Sequence, residues 1–155
     1  MSVDQTIHVI DRAREFHEQV GEYYHRMSDA AQRTRVRLLL DYMSQHEQRV
    51  ADALAAYEDS APEKILNTWL QAGDETDALQ AVREQLRELR VDPSIGIDDL
   101  IELGLKLSEC LLAVFRDLAA RAEPASVRYA FDNLLRMEEK AQQQFARDAM
   151  RLSDL

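Results

Sequence analysis

Apolar residues recur along this 155-residue chain in alternating steps of three and four, the period of helices that bury one stripe. The spacing predicts a first helix from about Asp4 to Met27, with Ile10, Ala13, Phe16, Val20 and Tyr24 on one side. A second helix runs from about Ala31 to Glu58 on the seam Val36, Leu40, Met43, Glu47, Val50, Leu54 and Tyr57. "SAPEK" then predicts a short helix through Trp69, with Ser60 as its cap, Pro62 early and Glu63 three residues after the serine. Another amphipathic piece carries Leu79, Val82, Leu86 and Leu89, and "VDPSIG" interrupts it. A third long helix starts near Asp98 and ends about Arg121; a fourth runs from near Pro124 to Leu152 on the seam Val127, Phe131, Leu134, Glu138, Ala141 and Phe145. With only 4 Gly and 3 Pro the chain is too poor in turn residues for a sheet protein. The expectation is one all-α domain over 1–155: a hairpin at 4–58, a long crossover with short helices at 59–97 and a second hairpin at 98–152.

The hairpins align with each other. A shift of 91 residues pairs Ile10 with Ile101, Val36 with Val127, Arg37 with Arg128, Asp41 with Asp132 and Glu47 with Glu138, without a gap. A duplicated unit puts Glu138 at the inward position that Glu47 holds in the first half.

These glutamates are the charged members of two otherwise apolar seams. An ionised carboxylate among such neighbours costs several kcal/mol unless a cation, a proton or hydrogen bonds compensate it. The inward residues at the same level of the first and third helices are His17 and Ser108. His17, Glu47 and Glu138 are therefore expected to converge, with Ser108 opposite and His46 at the edge of the seam. Glu18 and Glu109, one position later, fall on solvated faces. Three readings of the cluster stay open: one divalent metal held by nitrogen and oxygen, a protonated His17 between carboxylates, or one proton shared by the two glutamates.

Two helical hairpins joined by a long crossover, with one inward glutamate on the second helix of each, resemble the ferritin-like di-iron carboxylate proteins, the rubrerythrin group in particular. The resemblance covers nearly the whole chain and implies a ferritin-like four-helix bundle. In that family each hairpin supplies a Glu from its first helix and a Glu-x-x-His from its second. Glu47 and Glu138 match the motif's glutamates, whereas Val50 and Ala141 stand where its histidines belong. The four histidines, at 8, 17, 25 and 46, all lie in the first third of the chain, so a symmetric two-histidine site cannot form. The resemblance thus implies a degenerate site: a non-enzymatic binding or structural protein without a cofactor. The alternative it implies is a metal-binding protein in iron handling or oxidative-stress chemistry, with iron, manganese or zinc at His17, Glu47, Glu138 and His46.

The formal charge of -10 and pI near 4.8 argue against nucleic acid and anionic membranes as partners, since both call for a cationic footprint. The expected partner is a second copy, in a homodimer or higher homo-oligomer built on the long helices. A lone cysteine, Cys110, and the lack of a leader-like or spanning apolar segment point to the cytoplasm. "EYYH" at 22–25 reads as a solvated Glu-x-x-His pair, and "HEQRV" at 46–50 fails the zinc-protease pattern at Val50. Trp69 is expected to anchor the crossover to the bundle.

Overall fold

A computed structural model describes residues 2–154. In chain order it comprises β1 (Ser2–Gln5), α1 (Thr6–Ala30), α2 (Thr34–Ser60), α3 (Glu63–Leu66), β2 (Trp69–Ala72), α4 (Asp74–Glu88), α5 (Ile97–Arg121) and α6 (Ala125–Ser153). The four long helices follow the predicted seams. Their cross-links give their directions: Arg35 Nη2 donates to the Ser153 carbonyl at 2.6 Å and Tyr42 Oη to Asp148 Oδ2 at 2.7 Å, so α2 and α6 run antiparallel. Because α2 ends at one pole and α5 begins at the other, the crossover must traverse the bundle. Most of that distance is covered by α4, which runs alongside α1 in the same direction, tied by Arg83 to Glu15 at 3.0 Å and by Arg26 Nη2 to the Leu86 carbonyl at 2.8 Å. It packs against both α1 and α5. Among the described residues no helix is long and apolar enough to cross a membrane.

The repeat is visible in the element boundaries. Thr6 and Ile97 open α1 and α5, Thr34 and Ala125 open α2 and α6, and each pair is 91 residues apart. Ala31 and Ala122, the residues just past α1 and α5, are also equivalent, and both are buried with extended backbone.

The crossover departs from the expected helices. β1 and β2 form a two-stranded antiparallel sheet in the register Ser2 with Ala72 to Gln5 with Trp69, so the chain is not purely α and its first helix starts at Thr6 rather than Asp4. Opposed residues share a face of such a pair. Asp4 and Leu70 accordingly point inward and are buried, while Val3, Gln71 and Trp69 point out. Asp4 is sustained there by Arg12 and by His8 Nδ1 at 2.8 Å. Trp69, 62% exposed, is no anchor; Leu66 and Leu70 hold the crossover to the core. Ser60 caps nothing, being the last residue of α2 with its hydroxyl donating back to the Tyr57 carbonyl at 3.2 Å, and Pro62 takes the N-cap position of α3. The extended backbone at Leu89 ends α4, leaving that side chain half exposed.

The core runs the length of the bundle, from Ile10 and Phe16 on α1 and Leu40, Met43 and Leu54 on α2 to Leu111 and Phe115 on α5 and Phe131 and Leu134 on α6. Each such side chain contributes about 1.5–3 kcal/mol on burial. Packing is close where α5 passes α6: a Cβ on Gly104 would stand 2.6 Å from Phe145 Cζ and 3.1 Å from Met43 Cε. Gly104→Ala should gain about 1 kcal/mol of helix propensity but lose about 1–3 kcal/mol to overpacking. The expected outcome in urea unfolding is a net loss, relieved when Phe145→Leu is added in the same chain.

Candidate functional site

Three helices aim one side chain each at mid-height of the core. On α2, Glu47 follows Met43 by four residues and precedes Val50 by three; on α6, Glu138 follows Leu134 by four. Both carboxylates thereby inherit the inward direction of their seams. His17 arrives from α1 one residue after Phe16. Exposure is 4% for His17, 9% for Glu47 and 2% for Glu138. Gly21, one turn past His17, lets α1 and α2 close here, since a Cβ on it would lie only 3.3 Å from Glu47 Cβ.

The imidazole sits between the carboxylates. Nδ1 is hydrogen-bonded to Glu47 Oε2 and Nε2 to Glu138 Oε1 at 2.8 Å. A neutral ring offers one donor, whereas two ionised carboxylates can only accept, so both contacts are satisfied together by the doubly protonated ring. Burial opposes that charge. The fields of Glu138 and Glu47, with their hydrogen bonds, more than offset it and raise the His17 pKa from 6.5 to about 10. The geometry thus favours a charged ring held between the two glutamates.

The other expected members line the same small cavity. Its volume is about 10 Å³, room for about one water, and its wall includes Tyr24, His46, Ser108 and Gln142. Ser108 faces the triplet from α5, its hydroxyl donating to the Leu105 carbonyl at 2.9 Å and accepting from Gln142 Nε2 at 2.8 Å. His46 is stacked on Tyr42 at 5.9 Å and tilted against Phe145 at 5.9 Å, and burial lowers its pKa. It is an aromatic wall residue rather than a fourth member of the charge cluster. Val50 and Ala141, three residues beyond the two glutamates, belong to the cavity wall too.

Two site residues escaped the sequence reading. Gln142 lies one turn beyond Glu138, a spacing that could have flagged it. Tyr24, two turns beyond His17, reads as an ordinary seam residue; its hydroxyl is buried without a hydrogen-bond partner, and burial raises its pKa well above the usual value. Glu18, Glu109, Glu22 and His25 are exposed, as their helical faces imply. Cys110 is half-buried, and burial raises its thiol.

The residues do not fit a pair of irons. Among the described residues no group of three or more His, Cys, Asp or Glu side chains is disposed to hold a metal ion. The three side chains that converge, His17, Glu47 and Glu138, are bonded ring to carboxylate, with the imidazole standing between the two glutamates. Compared with known proteins, the chain matches no protein-family model, no curated protein and no solved structure.

The triplet makes two predictions. His17→Leu strands two buried carboxylates and should cost about 3–5 kcal/mol in denaturant unfolding, whereas His17→Leu, Glu47→Leu and Glu138→Leu together should recover wild-type stability or exceed it. The second concerns pH. Below 6.5 the ring is protonated in folded and unfolded chains alike, and its contribution is full. From there up to about 10 only the folded ring keeps its proton, so this contribution should fall steadily with rising pH. Unfolding midpoints of the triple variant, measured beside wild type, should lack that decline.

Proposed function

We propose that the protein is a ferritin-like four-helix bundle in which a buried imidazolium has replaced the metal pair, and that it acts as a non-enzymatic binding or structural protein. The observation that carries this reading is the engagement of both His17 nitrogens by Glu47 and Glu138. Antiparallel packing of α2 against α6, the duplicated hairpins and the long crossover support the ferritin-like architecture. Where that family carries its second-helix histidines this chain has Val50 and Ala141, and the inward first-helix residues at that level are His17 and Ser108, with Glu18 and Glu109 one position later on exposed faces. Two apolar residues and a hydroxyl group leave the di-iron ligand set short of donors, and the raised pKa of His17 favours its protonated form while no metal is bound.

Metal analysis tests the reading. Protein purified without chelator, then incubated with Fe(II), Mn(II) or Zn(II) and desalted, should carry no stoichiometric metal. Stoichiometric metal that disappears in a Glu47→Ala, Glu138→Ala variant would replace this proposal with a metal-binding protein that displaces the His17 proton.

A further inference from the structure

The triplet makes no use of the Tyr24 hydroxyl. Tyr24 is 1% exposed, and its Oη is buried with no hydrogen-bond partner among the described residues, although the side chain lines the same cavity as His17, Glu47 and Glu138. A hydroxyl stranded in this way costs free energy that a phenylalanine of the same shape would avoid. A tyrosine at this position therefore calls for a partner.

Helical position indicates where the partner lies. Gly21 stands about one turn after His17 and one turn before Tyr24, and a Cβ on it would lie 3.3 Å from Glu47 Cβ. Glu47 thus enters the cavity between the levels of His17 and Tyr24. Its Oε2 is bonded to His17 Nδ1, whereas Oε1 takes no hydrogen bond from the described residues. Burial raises the Tyr24 pKa first and the field of Glu47 raises it further, so this carboxylate acts on the phenol without touching it. The cavity has a volume of about 10 Å³, which is room for about one water. Its occupant must therefore be about one heavy atom in size, accept from a phenol and donate to a carboxylate. An ammonium ion has no lone pair for the phenol's proton, and an apolar atom serves neither group. Water serves both.

We propose that the cavity is a specific water site, in which one water accepts from Tyr24 Oη and donates to Glu47 Oε1, and that Tyr24 is a positioning residue for the carboxylate that holds His17. The bridge orders Glu47 from one oxygen while the imidazole orders it from the other. The network then runs from Tyr24 through water and Glu47 to His17 and Glu138, and ties two levels of α1 to α2 and α6. Ser108 and Gln142, on the same wall, are bonded to each other. The proposal rests on the metal-free reading of the triplet, since a metal held by Glu47 would compete for the same oxygen.

Tyr24→Phe tests the bridge by the sign of its effect, because the variant keeps the ring and its packing and removes only the hydroxyl. Deleting a dry, orphaned hydroxyl would raise the urea unfolding midpoint, whereas deleting one bonded to a bound water should lower it. A crystal structure of the wild type, at a resolution that places waters, gives the second readout. It should show one peak about 2.8 Å from both Tyr24 Oη and a Glu47 carboxylate oxygen. An empty cavity in the wild type, or a Tyr24→Phe midpoint equal to or above the wild-type value, would overturn the water bridge and leave the metal-free triplet standing. A peak about 2.0–2.2 Å from Glu47 with an anomalous signal at a metal edge would overturn both.

Discussion

Two carboxylates reach one imidazole in a place that water scarcely enters, and the bundle's middle is arranged around that contact. Each charge alone would carry a desolvation cost of several kcal/mol. Together they leave a single net negative charge, with the positive ring in the centre where attraction to both neighbours is strongest. The ring nitrogens point in divergent directions, so satisfying both fixes α1 against α2 on one side and against α6 on the other. A buried ion cluster is weak evidence for stability, because well-packed hydrocarbon can do as well. What it supplies is register: sliding any of the three helices by one residue would carry its charged side chain off the shared level.

The neighbours of the triplet follow from the same constraint. Hydrogen bonds of this kind require helix backbones to approach closely, and Gly21 provides that approach beside Glu47. On the far side, Gly104 admits the Phe145 ring, which in turn leans on His46. The resulting wall is aromatic and aliphatic except for Ser108 and Gln142, which bond to each other rather than to the triplet. Within that wall burial opposes a charge on His17, and the fields of Glu138 and Glu47 more than offset it, so the ring is held toward its protonated form.

Long periodic helices were legible in the sequence because their signal is repeated many times over: a seam of six or seven residues survives an error at any one. Glu47 and Glu138 stood out as exceptions to a pattern, and the level of His17 followed from counting along α1. The crossover had no such redundancy. A four-residue strand at Ser2–Gln5 acquires its identity from Trp69–Ala72, more than sixty residues away, and neither segment alternates long enough to announce itself. Ser60 followed by Pro62 and Glu63 satisfies the local rules for a helix start, yet α2 simply continues through it. The buried Tyr24 hydroxyl and the Ser108–Gln142 bond depend on which side chains meet across helices, which no single stretch records.

Bulk charge is the least local of the sequence properties, and it shows where composition misleads. A net charge of -10 describes the molecule seen from afar. At physiological salt the screening length is about 8 Å, so any point on the surface experiences the charges within about that distance and little of the rest. Arg35 on α2 and Asp154 just past α6 are far apart in the chain, and line one cleft with Asp98 and Asp99 only because α2 and α6 lie antiparallel. The inward seams that bring Glu47 and Glu138 together thus also determine which outward residues become neighbours. A slip that moved the carboxylates off the shared level would change those outward neighbours in the same step.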